Sequence, residues 1–394
     1  MLNQTYLQML NQKSVIRTLN EYGAQRAKEI GYQNVFDYSL GNPSVPTHPA
    51  FTQEMIRLLQ EEDPVALHGY SPTLGIPSVR QAVAESLSRR FGLPYTADGI
   101  FMTSGAAGAL AHALRAVTQP GDELIVFAPF FSEYSAYAQG AGLTLKVVPA
   151  DTKSFQIPFD KLEEMLTDKV TALLINTPNN PSGAVYSAET LTRLAELLRK
   201  KSAELGRPLF LISDEPYREI LFHGAQQPYP AAFYEYTLVC YSFSKSLSLP
   251  GERIGYVAVA PRFEGWEKIV PMCGQISRGT GHNCPSSIIQ LAVSKVLELT
   301  SDLSVYETNA DILCRELSGL GFEICRPQGT FYIFPRALEE DAVRFCEKAK
   351  EFDLLLVPSD GFGVPGHFRA AYCIDTEKVE RSLEAFKKLA DCYR

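Results

Sequence analysis

The sequence predicts an α/β protein: a mostly parallel sheet covered by helices on both faces, followed by a smaller α+β segment. Three observations carry this. From about residue 100 to 260, short apolar runs alternate with amphipathic helical stretches, and runs that are apolar throughout are the mark of strands buried on both faces. The chain has 394 residues, a length that fits two domains or one large domain with an elaboration. From about Ser286 the alternation gives way to helix mixed with short strands.

Residues from about Gln4 to Gly31 carry a helical pattern, and the stretch Gly41-Asn42-Pro43-Ser44-Val45-Pro46 reads as a turn. The runs Glu123–Phe127, Val170–Ile175, Pro208–Ile212, Thr237–Tyr241 and Ile254–Val259 read as strands. Between them, Ser187–Leu205 puts Leu191, Leu194 and Leu198 on one helical face, with Ser187 placed as the N-cap. The carboxyl-terminal third reads as a long helix from Ser286, then an α+β segment with strands at Gly329–Phe334 and Phe368–Tyr372. No internal repeat or low-complexity linker separates these parts, so a second domain is expected to pack tightly on the first.

At 45% hydrophobic and 21% charged residues the composition is that of an ordinary globular protein. The net charge of −8 and the lack of a basic block speak against a nucleic-acid footprint. The eight cysteines (Cys240, Cys273, Cys284, Cys314, Cys325, Cys346, Cys373, Cys392) form no C-x-x-C pair and no His/Cys cluster. They read as reduced, mostly buried thiols, with no disulfide frame and no metal site. The start, Met1-Leu2-Asn3-Gln4-Thr5-Tyr6, lacks the signature of a secretion signal. No apolar run approaches the roughly 18 residues of a membrane span. The expectation is a soluble, cytoplasmic protein.

The chemistry concentrates where strands end, which is where open α/β sheets bind ligands. Lys245, in Ser242-Phe243-Ser244-Lys245, follows the strand ending at Tyr241, and Arg253 follows eight positions on. An amine in a walled site loses its proton more easily than one in water, and only the free amine condenses with an aldehyde such as that of pyridoxal phosphate (PLP). A lone Ser-x-Ser-Lys is by itself a weak signal, so the other groups that PLP needs decide its meaning.

After Ile175 comes Asn176-Thr177-Pro178-Asn179-Asn180-Pro181-Ser182-Gly183, either a plain turn or a rigid loop that aims an amide. After Ile212 comes Ser213-Asp214-Glu215-Pro216-Tyr217. A carboxylate there needs a partner: a helix it caps, or a pyridinium nitrogen, with Tyr217 in reach of the phenolic oxygen of PLP. Thr103-Ser104-Gly105-Ala106-Ala107-Gly108 opens a helix with small residues, a packing device or a phosphate cradle completed by Ser242 and Arg253. Phe131, or its neighbour Phe130, is placed to stack on a ring. Arg369, among apolar residues in Phe368-Arg369-Ala370-Ala371, needs an anion: a substrate carboxylate, or an Asp or Glu of the chain.

The order and spacing of these motifs, together with Gly41-Asn42-Pro43 and Tyr70-Ser71-Pro72-Thr73-Leu74-Gly75, resemble the fold-type I PLP enzymes nearly end to end. Within them the chain resembles the class I aminotransferases related to aspartate aminotransferase. The resemblance implies a large PLP-binding domain (44–285) with a mostly parallel seven-stranded sheet between helices. A small domain would be built from both ends of the chain (1–43 and 286–394). It also implies a homodimer whose active sites are shared between subunits, and transfer of an amino group from an amino acid to a 2-oxo acid in ping-pong fashion.

On the same resemblance, Lys245 would hold PLP as a Schiff base and move the substrate's α-proton, while anionic Asp214 keeps the ring nitrogen protonated. Asn180 and Tyr217 would hold the phenolic oxygen, and Phe131 the ring face. Ser104, Gly105, Ala106, Ser242 and Arg253 would grip the phosphate, joined by Tyr70 of the neighbouring subunit. Arg369 would clamp the α-carboxylate, with Gly41 leaving room for it and Asn180 beside it. Arg278, in the loop Arg278-Gly279-Thr280-Gly281-His282, falls where aspartate-specific members present an arginine to the partner's site.

The sequence departs from that pattern at His282 and the two loop glycines, and at Ala106 and Phe131, which leaves room for aromatic or neutral substrates. A PLP-dependent C–S β-lyase is disfavoured because Asn179 stands where those relatives carry a histidine. A PLP-binding sensor domain of a transcription regulator is disfavoured because about 40 residues before Gly41 are too few for a DNA-binding module.

Overall fold

The computed structural model describes residues 2, 4–11 and 15–394. The amino-terminal helical pattern becomes two helices, α1 (Gln4–Asn11) and α2 (Val15–Ile30), and the part of that expectation between them lies outside the described residues. After the short strand β1 (Phe36–Asp37), seven strands build one sheet. They are β2 (Ile100–Thr103), β3 (Glu123–Phe127), β4 (Thr144–Val148), β5 (Val170–Asn176), β6 (Phe210–Asp214), β7 (Thr237–Ser242) and β8 (Gly255–Val259).

The spatial order is β2-β8-β7-β6-β5-β3-β4. Every neighbouring pair is parallel except those made by β8, which runs against both β2 and β7. The reason is the connection 243–254. It contains no helix that could cross the sheet, so the chain returns antiparallel. That return brings Lys245 and Arg253 to the same end of the sheet.

Side chains alternate along the strands. Leu124, Val126, Leu174, Ile212, Leu238 and Val257 pack on the side of α3 (Gly105–Val117). Ile125, Leu173, Ile175 and Leu211 pack against Leu191, Leu194 and Leu198 of α4 (Ala188–Leu205). The expected Ser187 cap is present, its hydroxyl accepting from Thr190 N at 3.0 Å. Such a cap is worth about 1 kcal/mol, whereas each buried leucine contributes roughly 1.5–3 kcal/mol, so the apolar stripe holds α4 in place.

Helix α5 (Ile269–Thr280) runs through the start of the expected loop, and Arg278 lies in its last turn. The chain leaves the helix only at Gly281, whose left-handed φ of 65° supplies the cap. The long helix expected from Ser286 is instead a short one, Ser287–Val293, packed with Val79, Met102 and Tyr256. Asp302 then starts a new helix, α6 (Ser304–Gly319), by accepting from Ser304 N and Oγ.

The remaining strands are β9 (Tyr332–Ile333), β10 (Leu354–Leu355), β11 (Val357–Pro358) and β12 (Phe368–Ala371), with α7 (Thr376–Asp391) closing the chain. β11, β12 and β9 form a small antiparallel sheet, and β1 pairs with β10. β9 is shorter than Gly329–Phe334 because Thr330 has φ 67°, which breaks the extended run. Leu313 and Leu317 of α6 and Val379 and Phe386 of α7 share one core with Phe331 and Phe368. All eight cysteines are free. Among the described residues no helix is long and apolar enough to cross a membrane, and no His, Cys, Asp or Glu group could hold a metal.

Candidate active site

Strands β5, β6 and β7 end side by side, and Asn176, Asp214 and Ser242, their last residues, line a cleft of about 360 Å³. β6 runs past the expected Ile212, so Asp214 belongs to the strand itself and stands in register with Asn176 and Cys240. Asn176 Nδ2 donates to the Asp214 carbonyl at 2.8 Å, and its Oδ1 accepts from Asn180 N at 2.7 Å. One amide thus locks the strand end to the turn and fixes Asn180. Its signal in the sequence is a lone amide ending an apolar run. Asn179 serves the turn itself: it donates to Pro129 O and accepts from Ser182 N and Oγ.

Asp214 is buried, and its Oδ2 accepts from the Tyr134 hydroxyl at 2.6 Å. Burial pushes the carboxyl up to about 7, the Tyr134 bond works against this, and neighbouring Glu215 adds to it. Burial and Asp214 together push the Tyr134 phenol far up, so it stays a donor. Among the described residues Oδ1 has no partner, an omission that costs about 1–3 kcal/mol in a buried site unless a ligand supplies a donor.

Lys245 Nζ donates to Gly41 O at 2.7 Å and sits 5.3 Å from the Phe331 ring centre. Burial pulls the amine down to about 8; Cys373 opposes the shift, and Arg369 and Arg253 reinforce it. A fraction of the amine is therefore unprotonated near neutral pH, as condensation with an aldehyde requires. A methyl on Gly41 would collide with the Tyr332 hydroxyl, so only glycine lets the backbone approach here.

At the other end of the cleft, Ser104 precedes α3 without capping it, and Gly105 takes φ 78°. Arg253, itself left-handed at φ 52°, donates from Nη1 to Pro250 O at 2.8 Å and from Nη2 to Ser104 O at 3.2 Å. A Cβ on Gly105 would lie 3.0 Å from Arg253 Nη2. Glycine thus keeps the guanidinium over the free N–H groups of the helix start, an anion cradle. Ala106 and Ser242 line the same end.

The small sheet supplies the third wall. Arg369 is buried on β12. Its Nη1 donates to Asn180 Oδ1 at 3.3 Å, Nη2 donates to Ser39 O, and Nε has no partner among the described residues. Its guanidinium lies 4.7 Å from the Tyr332 ring centre and 5.2 Å from that of Phe362. No carboxylate among the described residues forms an ion pair with it, so the alternative of a structural ion pair is not realised. Tyr217 shares a hydrogen bond of 3.1 Å with Tyr332. Phe131 lines the cleft and meets Tyr134 edge-on at 5.7 Å, whereas Phe130 points into the core.

Thus Gly41, Ala106, Phe131, Asn180, Asp214, Tyr217, Ser242, Lys245, Arg253 and Arg369 share one cleft, with Ser104 and Gly105 at its edge. Tyr70 and Arg278 do not reach it in this chain; Tyr70 is 106% exposed and Arg278 lies on the surface. Tyr134 and Tyr332 escaped the sequence reading because each acts through a partner distant in sequence, and Asn176 because one of its two partners, Asp214, lies on another strand. A buried unpaired carboxylate oxygen, an amine of lowered pKa and a helix-start cradle under an arginine together fit PLP: ring nitrogen, aldehyde and phosphate each meet a matching group.

The comparisons agree with that fit. Residues 33–386 match the family model described as aminotransferase class I and II. An aspartate aminotransferase of Thermotoga maritima is 30% identical over 89% of this chain and 90% of its own length. The aspartate/prephenate aminotransferase of Thermus thermophilus is 31% identical over 81% of this chain and 83% of its own. The solved structure of an aminotransferase from Eubacterium rectale superposes with a TM-score of 0.97 at 44% identity, covering 100% of this chain and 99% of that one. A cleft built for PLP at the strand ends of a fold-type I sheet, and a family match across nearly the whole chain, lead to one conclusion: this chain belongs to the class I and II aminotransferases and is a PLP-dependent enzyme.

Proposed function

We propose that this enzyme transfers the amino group of an L-amino acid, with aspartate or glutamate the leading substrates, to a 2-oxo acid. The observation that carries the reading is Arg369, a buried guanidinium without an anionic partner that faces the same cleft as Lys245. A substrate α-carboxylate is the anion its planar fork matches. When bound, PLP supplies an electron sink for the pair left at the substrate's α-carbon.

The chain's own residues do the rest. Asp214, through its unpaired Oδ1, holds a protonated ring nitrogen. Asn180 and Tyr217 hold the phenolic oxygen, and Phe131 covers the ring. Ser104, Gly105, Ala106, Ser242 and Arg253 bind the phosphate. Lys245 anchors the cofactor and then acts as the base that takes the α-proton. Gly41 shapes the wall beside the α-carboxylate, and its carbonyl, bonded to Lys245, helps to aim the amine.

The working unit in this proposal is a cytoplasmic homodimer in which Tyr70 and Arg278 serve the partner's phosphate and side-chain sites. Support comes from the exposure of Ile56, Leu59, Val65 and Tyr70 in one stretch of chain, apolar side chains that a subunit contact would cover. The domain division at 44 and 285 belongs to the same proposal. The names of the relatives support dicarboxylic substrates. The apolar walls at Ala106 and Phe131 favour aromatic or neutral amino acids as the second reading. A lyase is disfavoured, since Asn179 is consumed by its turn. The deciding experiment mixes the PLP-loaded enzyme with each of the twenty amino acids and follows its visible absorbance. Aspartate or glutamate should convert the cofactor to its amino form, and conversion by neither would overturn the dicarboxylate reading. Pyruvate and a free thiol released from cystathionine without added 2-oxo acid would make it a lyase.

A further inference from the structure

Among the described residues the cleft carries six charged side chains: Arg17, Glu133, Asp214, Lys245, Arg253 and Arg369. Four have work in the reading above. Arg253 lies at the phosphate end, Asp214 and Lys245 are on the floor, and Arg369 is committed to an α-carboxylate. Glu133 lies in the first turn of the helix Glu133–Gly140, where the helix dipole favours a negative charge. Arg17 is left over. Among the described residues it has no ion pair and no hydrogen bond, and it forms none with Glu133 on the same cleft wall.

Arg17 is held there by the fold. It belongs to α2, whose Leu19 is buried in the main core and whose Ile16 packs against that core. Ile16 and Leu40 line the same cleft. Arg17 itself is exposed at the mouth of the cleft, where an arriving carboxylate can meet the planar fork of its guanidinium in bidentate fashion. The sequence offered Arg278 as the cation for a substrate side chain, but Arg278 is outside this chain's cleft. Arg17 is inside it.

We infer that Arg17 is a specificity-determining residue, binding the distal carboxylate of a dicarboxylic substrate from the same chain that supplies Lys245 and Arg369. The inference rests on the aminotransferase reading for its ligand class. It requires no subunit contact, so it holds alongside any contribution from Arg278 of a partner subunit. In this arrangement Arg369 takes one end of the substrate and Arg17 the other, with Lys245 facing the same cleft.

The test titrates the PLP-loaded enzyme with succinate and with butyrate, ligands that share one carboxylate and differ in the second. Calorimetry or the visible spectrum reads binding without turnover. Wild type should prefer succinate. Arg17→Gln should lower the succinate-to-butyrate affinity ratio about 10- to 100-fold, the range for losing a charge-assisted contact. Arg17→Lys should restore part of it. An unchanged ratio in Arg17→Gln, or equal weakening of both ligands, overturns the inference. A wild type that prefers neither ligand yet accepts amino groups from neutral amino acids also overturns it and leaves the aminotransferase reading standing. If no amino acid converts the cofactor, it is the aminotransferase reading that has failed.

Discussion

The floor of the cleft and its rim are built on different terms. On the floor and the wall beside it, Asn176, Asp214, Ser242 and Arg369 are buried and closely tied, and two of their polar atoms, Asp214 Oδ1 and Arg369 Nε, stand without partners among the described residues. On the rim and beyond it, Arg17, Tyr70 and Arg278 are exposed. A buried polar group is stable only when its surroundings are fixed, so the floor can carry chemistry that needs accurate placement. An exposed group is free to vary at little cost in stability, so selection among substrates fits the rim.

That contrast can be broken most directly at Lys245. Lys245→Ala should remove the visible absorbance of bound PLP and lower transamination by at least about 10³-fold; near-normal turnover in the variant would mean that the floor is not the chemical centre. Asp214→Asn keeps the shape but not the charge. It should cost about 10²-fold or more in kcat while the fold survives, as circular dichroism would verify. Arg369→Lys keeps the charge but not the fork, and should raise KM for any amino acid about 10- to 100-fold with a smaller effect on kcat. Gly41→Ala pushes a methyl into the Tyr332 hydroxyl and should lower stability by about 1–3 kcal/mol in urea unfolding.

The floor should also show itself in pH dependence without cofactor. Asp214 is raised from 3.8 to about 7 by burial, so the folded state holds a proton there that the unfolded state has lost. This stability is fully present below pH 3.8 and disappears as pH rises through about 7. The melting temperature of the PLP-free protein should therefore fall from pH 5 to pH 8 more than that of Asp214→Asn. Identical slopes would remove the proposed burial effect. Lys245, lowered to about 8, should make the rate of PLP capture rise with pH through that value, because only the free amine condenses.

Much of this was legible in the chain. The apolar runs at 123–127, 170–175 and 237–241, and the stripe Leu191, Leu194, Leu198, announce themselves because burial on both faces or on one imposes a period on the sequence. Lys245, Asp214 and Asn180 were readable because each follows such a run, and strand ends are where this architecture meets ligands. The reversal of β8 was not readable, since an apolar run looks the same in either direction. Nor was the length of the helix after Ser286, which stops at Val293, well before Asp302 starts the next one. The partner of Asp214, Tyr134, is 80 positions away, and no local pattern encodes so distant a hydrogen bond.

The sequence by itself determined the type of chemistry: an amine, a carboxylate and an amide placed after buried strands, with Arg253 beyond the amine and Arg369 inside an apolar run. Those assignments depend on residue identity and local period, which a linear chain carries. Only the tertiary structure decided which oxygen of Asp214 stays open, that Arg369 has no carboxylate partner, and that Arg17 stands in the cleft while Arg278 does not. These are facts of distance and solvent exclusion, and they exist only once segments remote in sequence have packed together.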